Sequence, residues 1–187
     1  MSVRSFDLSS ISPDNIEPLR KAVREVRTKN GGVSLWLTWK GELGCPLTIT
    51  SHTSKFISEC SSGTFCTRDG VFIRNYGNKQ KNAYYHKGNL TGTIIHEWCH
   101  RMQWFATDNA IGDWYWEVSH PEQDALYKKW SSYLEGSYAA TSPEEMAAEL
   151  FRVLKGWRSK EAWEDNQELL QDWMDFFTSD PVFRHFF

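Results

Sequence analysis

The chain has no apolar run approaching 18 residues, so no membrane-spanning helix is expected. It has no long basic run either. Its 21 Lys and Arg face 24 Asp and Glu, a net charge of −3, and binding a phosphate backbone needs clustered cations. Neither nucleic acid nor a membrane is therefore an expected partner. The opening residues, MSVRSFDLSSISPDN, contain no apolar core of a secretory signal. That favours the cytoplasm, or a secreted protein if a leader was removed. Paired CxxC spacing is also missing, so Cys45, Cys60, Cys66 and Cys99 do not read as a thiolate zinc site. Cys60 and Cys66 are spaced to close a small loop in an oxidising compartment, and free thiols are the reading preferred without a signal. Repeats, low-complexity tracts and interdomain linkers are absent as well.

What is present suits one packed domain over residues 1–187. Hydrophobic residues at 40% and charged residues at 24% are globular proportions, and the length is enough to bury a core. Ten tryptophans should supply much of that core, with a few left to line a cleft. A helix is predicted from a Ser12 cap and Pro13 to about Lys29, with Ile16, Leu19, Ala22, Val23 and Val26 as its apolar stripe. Strands are predicted at 33–39, 47–50 and 71–76, with 64–67 a candidate fourth. From about Asn89 the pattern turns helical. One helix covers Leu90 to Phe105. A capping box at Ser119 and Glu122 opens a second, ending near Gly136. A third runs from Thr141-Ser142-Pro143-Glu144 to about Leu154, and Ser159 caps a fourth ending near Phe177. Strands first and helices after predict an α+β domain.

Within the first of these helices stands His96-Glu97-Trp98-Cys99-His100, an HExxH motif. Positions i and i+4 share a helical face, so both imidazoles can reach one ion. Neutral imidazole suits zinc better than the oxygen-seeking magnesium or calcium. Zinc lowers the pKa of a bound water toward ~7, and Glu97 is placed to take its proton during attack on a carbonyl. The lead-in Thr93-Ile94-Ile95 and the following Met102, Trp104 and Phe105 suit a mostly buried helix. Two histidines and a glutamate there would be expensive without a purpose. Arg101 departs from the usually uncharged residue at that position of zinc peptidases.

A catalytic zinc takes three protein ligands and leaves one position open. Gln103 and Ala106 occupy the places where HExxHxxGxxH would need Gly and His, which excludes that class. Asp108, Asp113, Glu117 and His120 are near candidates, the first two close behind a helix end. Glu145 and Glu149 are a better pair, again i and i+4, separated by Met146, Ala147 and Ala148. The alanines allow close approach of two helices. Thr141 is the preferred cap, which would leave Glu144 to complete the cap and free Glu145. His120 is an alternative oxyanion ligand, and His52, His86 and His185 carry no recognisable spacing.

From about Leu90 to Leu154 the sequence resembles the gluzincin HExxH peptidases related to anthrax lethal factor and, more loosely, the Pro-Pro endopeptidases. In that group HExxH is followed by a tyrosine and then by E-x-x-x-E on a helix. Here Tyr138 precedes Glu145-Met146-Ala147-Ala148-Glu149, with Met146 in place of the usual aromatic. The resemblance implies a zincin-like fold, with a small mixed sheet in the N-terminal half and the HExxH helix leading into a helical C-terminal half. It implies that Glu145 joins His96 and His100 on zinc, that Glu149 supports a ligand, and that Tyr138 donates to the oxyanion. The expected function is a zinc metalloendopeptidase acting on a protein or peptide, with Gly70 to Tyr76 as the sheet edge that would pair with substrate. The alternatives are a zinc-containing peptide-binding module without activity, or a zinc hydrolase of a non-peptide amide.

Overall fold

The computed structural model describes residues 6–7, 17, 20–22, 24–25, 49–52, 64–67, 70–74, 90–106 and 120–187. For the strands, and for Leu90, Arg101 and residues 104–106, the description is of backbone alone. Four short segments pair as strands: β1 (Phe6–Asp7), β2 (Ile49–His52), β3 (Thr64–Thr67) and β4 (Gly70–Arg74). Their order is β1-β2-β4-β3, parallel except for the β3–β4 pair. Four helices follow: α1 (Leu90–Ala106), α2 (Pro121–Trp130), α3 (Pro143–Leu154) and α4 (Gln167–Ser179).

The expected α+β domain with a sheet-bearing N-terminal half is corrected by this structure. Residues 90–106 and 120–187 are 74% helical and hold no strand. Strands of two to five residues give too little surface to organise such a body. Its core is instead built by helices on one another. Ile95, Trp98 and Met102 of α1 are buried with Met146, Leu150 and Phe151 of α3 and with Leu169, Trp173 and Phe177 of α4. Phe183 and Phe186 close the far end, where Phe177 and Phe183 lie 5.0 Å apart by ring centroids. Edge and tilted ring packing of this kind adds to what burial contributes. The expected substrate-pairing edge is corrected too. β4 lies between β2 and β3, so both of its sides are already paired.

Local signals explain where the helices start. Ser142, not Thr141, caps α3: its hydroxyl accepts from the Glu145 N–H at 3.2 Å, and Pro143 takes the first turn, where no N–H is needed. Helix α2 starts after His120 with Pro121, without a side-chain cap, so the predicted box with Glu122 does not describe this start. It ends at Trp130, and turns carry the chain to Gly136, whose φ of +86° favours glycine. Asn166 rather than Ser159 caps α4, accepting from the Leu169 N–H at 3.0 Å. A short 3₁₀ turn, Ala162–Asp165, fills part of the interval assigned to that helix.

Every residue from Thr91 to His100 is buried. Helix α1 packs along α3 on one side and near β3 and β4 on another, so it is covered nearly all round. Ala147 and Ala148, both fully buried, are small enough to let α3 approach it closely. No helix among the described residues is long and apolar enough to cross a membrane. Of the predicted first helix, Glu17, Arg20–Ala22 and Arg24–Glu25 are helical, and Ala22 is buried. The 33–39 strand and Cys60 lie outside the described residues, as do Asp108, Asp113, Glu117 and His86.

Candidate metal centre

The spacing of α1 places His96 directly over His100, one turn apart, with ring centroids 4.7 Å from each other. The cap at Ser142 starts α3 in the register that turns Glu145 and Glu149 toward them. Glu145 gives its N–H to the cap, but its carboxylate goes to the histidines. Glu145 Oε2 lies 3.0 Å from His96 Nε2 and 3.4 Å from His100 Nε2, and the two Nε2 atoms are 3.0 Å apart. Ligands placed ~2.0–2.1 Å from a tetrahedral zinc stand ~3.3 Å from one another. The triangle is therefore of the size that one such ion spans.

The remaining nitrogens fix the chemistry of that triangle. His96 Nδ1 is 2.8 Å from Glu149 Oε1, and an ionised carboxylate can only accept, so Nδ1 carries the hydrogen. His100 Nδ1 is 2.8 Å from Gln103 Oε1. The Gln103 amide is oriented by its own donations from Nε2, to Gln123 Oε1 at 2.9 Å and to the Glu144 carbonyl at 3.1 Å. Its oxygen is thus the acceptor, and His100 Nδ1 is also the donor. When neutral, both imidazoles would then present Nε2 lone pairs to each other and to Glu145. Three electron-rich atoms so close repel unless a cation or a proton sits among them. This donor set, two imidazoles and a carboxylate, is one that zinc accepts.

Electrostatics in the metal-free site follow from the same contacts. Burial alone would lower the His96 pKa, but its hydrogen bonds with Glu145 and Glu149 outweigh that and raise it to about 10. Burial works against Glu145 as a carboxylate, yet the charge of His100 and hydrogen bonds from both histidines hold it well below the usual range. Glu97 is buried, and burial raises its pKa, partly offset by the positive charge of the two histidines. Burial of the Tyr138 hydroxyl, together with the charge and hydrogen bond of Glu145, pushes its pKa far up. The phenol therefore keeps its proton and acts as a donor.

Tyr138 is 52% exposed as a residue, whereas His96, Glu97 and His100 are each below 10%. Its ring lies 5.9 Å from that of His96. The 3₁₀ turn Tyr138–Ala140 is held by the Tyr127 hydroxyl, which donates to the Ala140 carbonyl at 2.8 Å, and by Thr141, which donates to the Tyr138 carbonyl at 2.7 Å.

The structure brings together His96, Glu97, His100, Tyr138, Glu145 and Glu149. His120 is committed elsewhere: its Nε2 is 3.1 Å from Asp180 Oδ2, and its ring packs edge-on against Phe176. His185 lies in the closing turn Phe183–Phe186. Sequence reasoning missed Gln103 and Gln123 as supports of His100, and Arg152 and Glu164 behind Glu149. Gln103 was findable, since it stands three residues after His100 on the same helical face. Among the described residues, His96, His100 and Glu145 are the grouping able to hold an ion. Comparison with models of protein families, with curated proteins and with solved structures finds no match.

Proposed function

We propose that this chain is a zinc-dependent peptidase in which His96, His100 and Glu145 hold the metal, Glu97 is the general base and Tyr138 is the oxyanion donor. The observation that carries the reading is the convergence of His96 Nε2, His100 Nε2 and Glu145 Oε2 within 3.4 Å, with both Nδ1 atoms already donating elsewhere. Zinc in that place supplies a Lewis acid for a carbonyl substrate and acidifies water. The rest falls to the chain's own side chains.

Glu97 is one residue beyond His96, buried beside both histidines, and its raised pKa makes it a better proton acceptor than an exposed carboxylate. It takes the proton of the attacking water and returns it to the leaving amine. Tyr138 keeps its proton, because burial and Glu145 hold its pKa far up. Its hydroxyl donates to Glu145 in the substrate-free site, and turning it to a carbonyl oxygen would stabilise the charge that develops there. The resemblance to gluzincins of the lethal factor group supports the same roles. A protein or peptide is the substrate class of this reading.

Glu97→Gln tests it. The amide accepts no proton, so zinc content and fold should be kept while hydrolysis of a peptide library is lost. Hydrolysis at the wild-type rate in Glu97→Gln, or hydrolysis untouched by a chelator in the wild type, would contradict the mechanism.

A further inference from the structure

Behind His96 the hydrogen bonds do not stop at Glu149. While Glu149 Oε1 takes His96 Nδ1–H, its Oε2 accepts from Arg152 Nη2 at 2.7 Å. The same Nη2 donates to Glu164 Oε1 at 3.1 Å, and Arg152 Nη1 donates to the Trp157 carbonyl. Glu164 in turn accepts the backbone N–H of Ser159 at 2.8 Å and of Lys160 at 3.0 Å. Glu149, Arg152 and Glu164 are buried, Arg152 completely. The chain therefore runs from the candidate metal ligand through α3 to the loop before Ala162–Asp165, where Lys160 is held at a φ of 65°.

A completely buried arginine between two carboxylates is poor evidence for stability, because desolvating three charges offsets most of their attraction. It is good evidence for orientation. A guanidinium is a rigid planar fork, and here it fixes which carboxylate oxygen of Glu149 faces away from His96. The other oxygen then has one direction left, toward Nδ1. That bond sets the His96 tautomer and points the Nε2 lone pair at Glu145 and His100.

We propose that Arg152, anchored by Glu164 and the Trp157 carbonyl, is a positioning residue for the metal: it acts through Glu149 to hold His96 in its ligating orientation. This inference rests on the zinc reading of the site. It also ties the backbone at Ser159 and Lys160 to metal occupancy, through four side chains in series.

The experiment uses the full chain and Zn2+ alone, with affinity read by competition against a chromophoric chelator. Arg152→Met should weaken Zn2+ binding by ~10-fold or more, the scale for losing a partner of a ligating histidine. Arg152→Lys, which keeps a cation near Glu149 but not the fork, should recover only part of it. In a Glu149→Gln background, Arg152→Met should cost little further affinity, because its effect passes through the ionised Glu149. Equal losses in both backgrounds, or unchanged affinity in Arg152→Met, would overturn the proposal. Should Arg152→Met not fold, the wild type still decides. Adding Zn2+ should shift the amide resonances of Ser159 and Lys160 and the side-chain resonances of Arg152, and unmoved resonances would overturn it. Wild-type protein that binds no Zn2+ would instead remove the zinc reading itself, a separate failure visible in the first titration.

Discussion

His96 and His100 sit one turn apart on the same helix, equally buried, yet they are held by opposite means. His96 is backed by charge: Glu149 on another helix, then Arg152 and Glu164. His100 is backed by neutral amides: Gln103 on its own helix, then Gln123 on α2. Either acceptor fixes a tautomer, since each takes the Nδ1 hydrogen. They differ in what else they do. Carboxylates stabilise an imidazolium: hydrogen bonds with Glu145 first and with Glu149 second outweigh burial and raise the His96 pKa to about 10 in the metal-free site. An amide adds no charge. One side of the centre is thus backed by charge and the other by a neutral dipole.

The comparison can be broken most severely by removing the rings. His96→Ala and His100→Ala should each abolish stoichiometric zinc, measured by metal analysis of the purified protein. Undiminished zinc in both variants would end the account. Next in size is Tyr138→Phe, which touches neither support. Turnover should fall by ~100-fold, the scale for one oxyanion donor, with Zn2+ affinity unchanged.

The supports come after the rings. Glu149→Gln makes the two sides alike by replacing charge with an amide, and should weaken Zn2+ binding ~10–100-fold. Gln103→Leu should weaken it less. It should also lower thermal stability, because Gln123 Oε1 and the Glu144 carbonyl lose a donor in a buried place, at ~1–3 kcal/mol for each buried group left unsatisfied. A larger affinity loss for Gln103→Leu than for Glu149→Gln would reverse the ranking of the two sides.

The last effect is in pH, and per pH unit it is no larger than those of the supports. The folded pKa of His96 lies above its ordinary value of 6.5. Its ion pairing therefore stabilises the metal-free protein fully below about pH 6.5 and is lost as pH rises toward about 10. Metal-free melting temperature should decline across that window. Zn2+ must displace the same proton, so affinity should rise by up to ~10-fold per pH unit between 6.5 and 8.5. In Glu149→Gln both dependences should weaken only in part, because Glu145 still raises the His96 pKa.

Much of this centre was legible beforehand because it is written in helical spacing. Two i, i+4 pairs, His96 with His100 and Glu145 with Glu149, name one face on each of two helices, and Ala147 and Ala148 leave room for those faces to meet. What spacing could not show was the partner of Glu149. Arg152 three residues on reads as a surface pair, and only burial turns it into part of the site. Spacing does not separate Thr141 from Ser142 as the cap, because both offer a hydroxyl and the choice depends on backbone direction before Pro143. The fold class is hidden for a similar reason. Residues 64–67 and 70–74 do pair as strands, but pairing says nothing about how much of the body they organise. The aromatic residues of 151–187 bury one another between helices, so the core of that body needs no sheet.

A crystal structure grown with Zn2+, with diffraction measured at the zinc absorption edge, tests the central claim most directly. The account predicts one anomalous peak between α1 and α3, with His96 Nε2 and His100 Nε2 at ~2.0–2.1 Å and a carboxylate oxygen of Glu145 at ~2.0–2.2 Å. A peak ligated instead by Glu149, Asp108 or His120, or no peak at the two histidines, would contradict it.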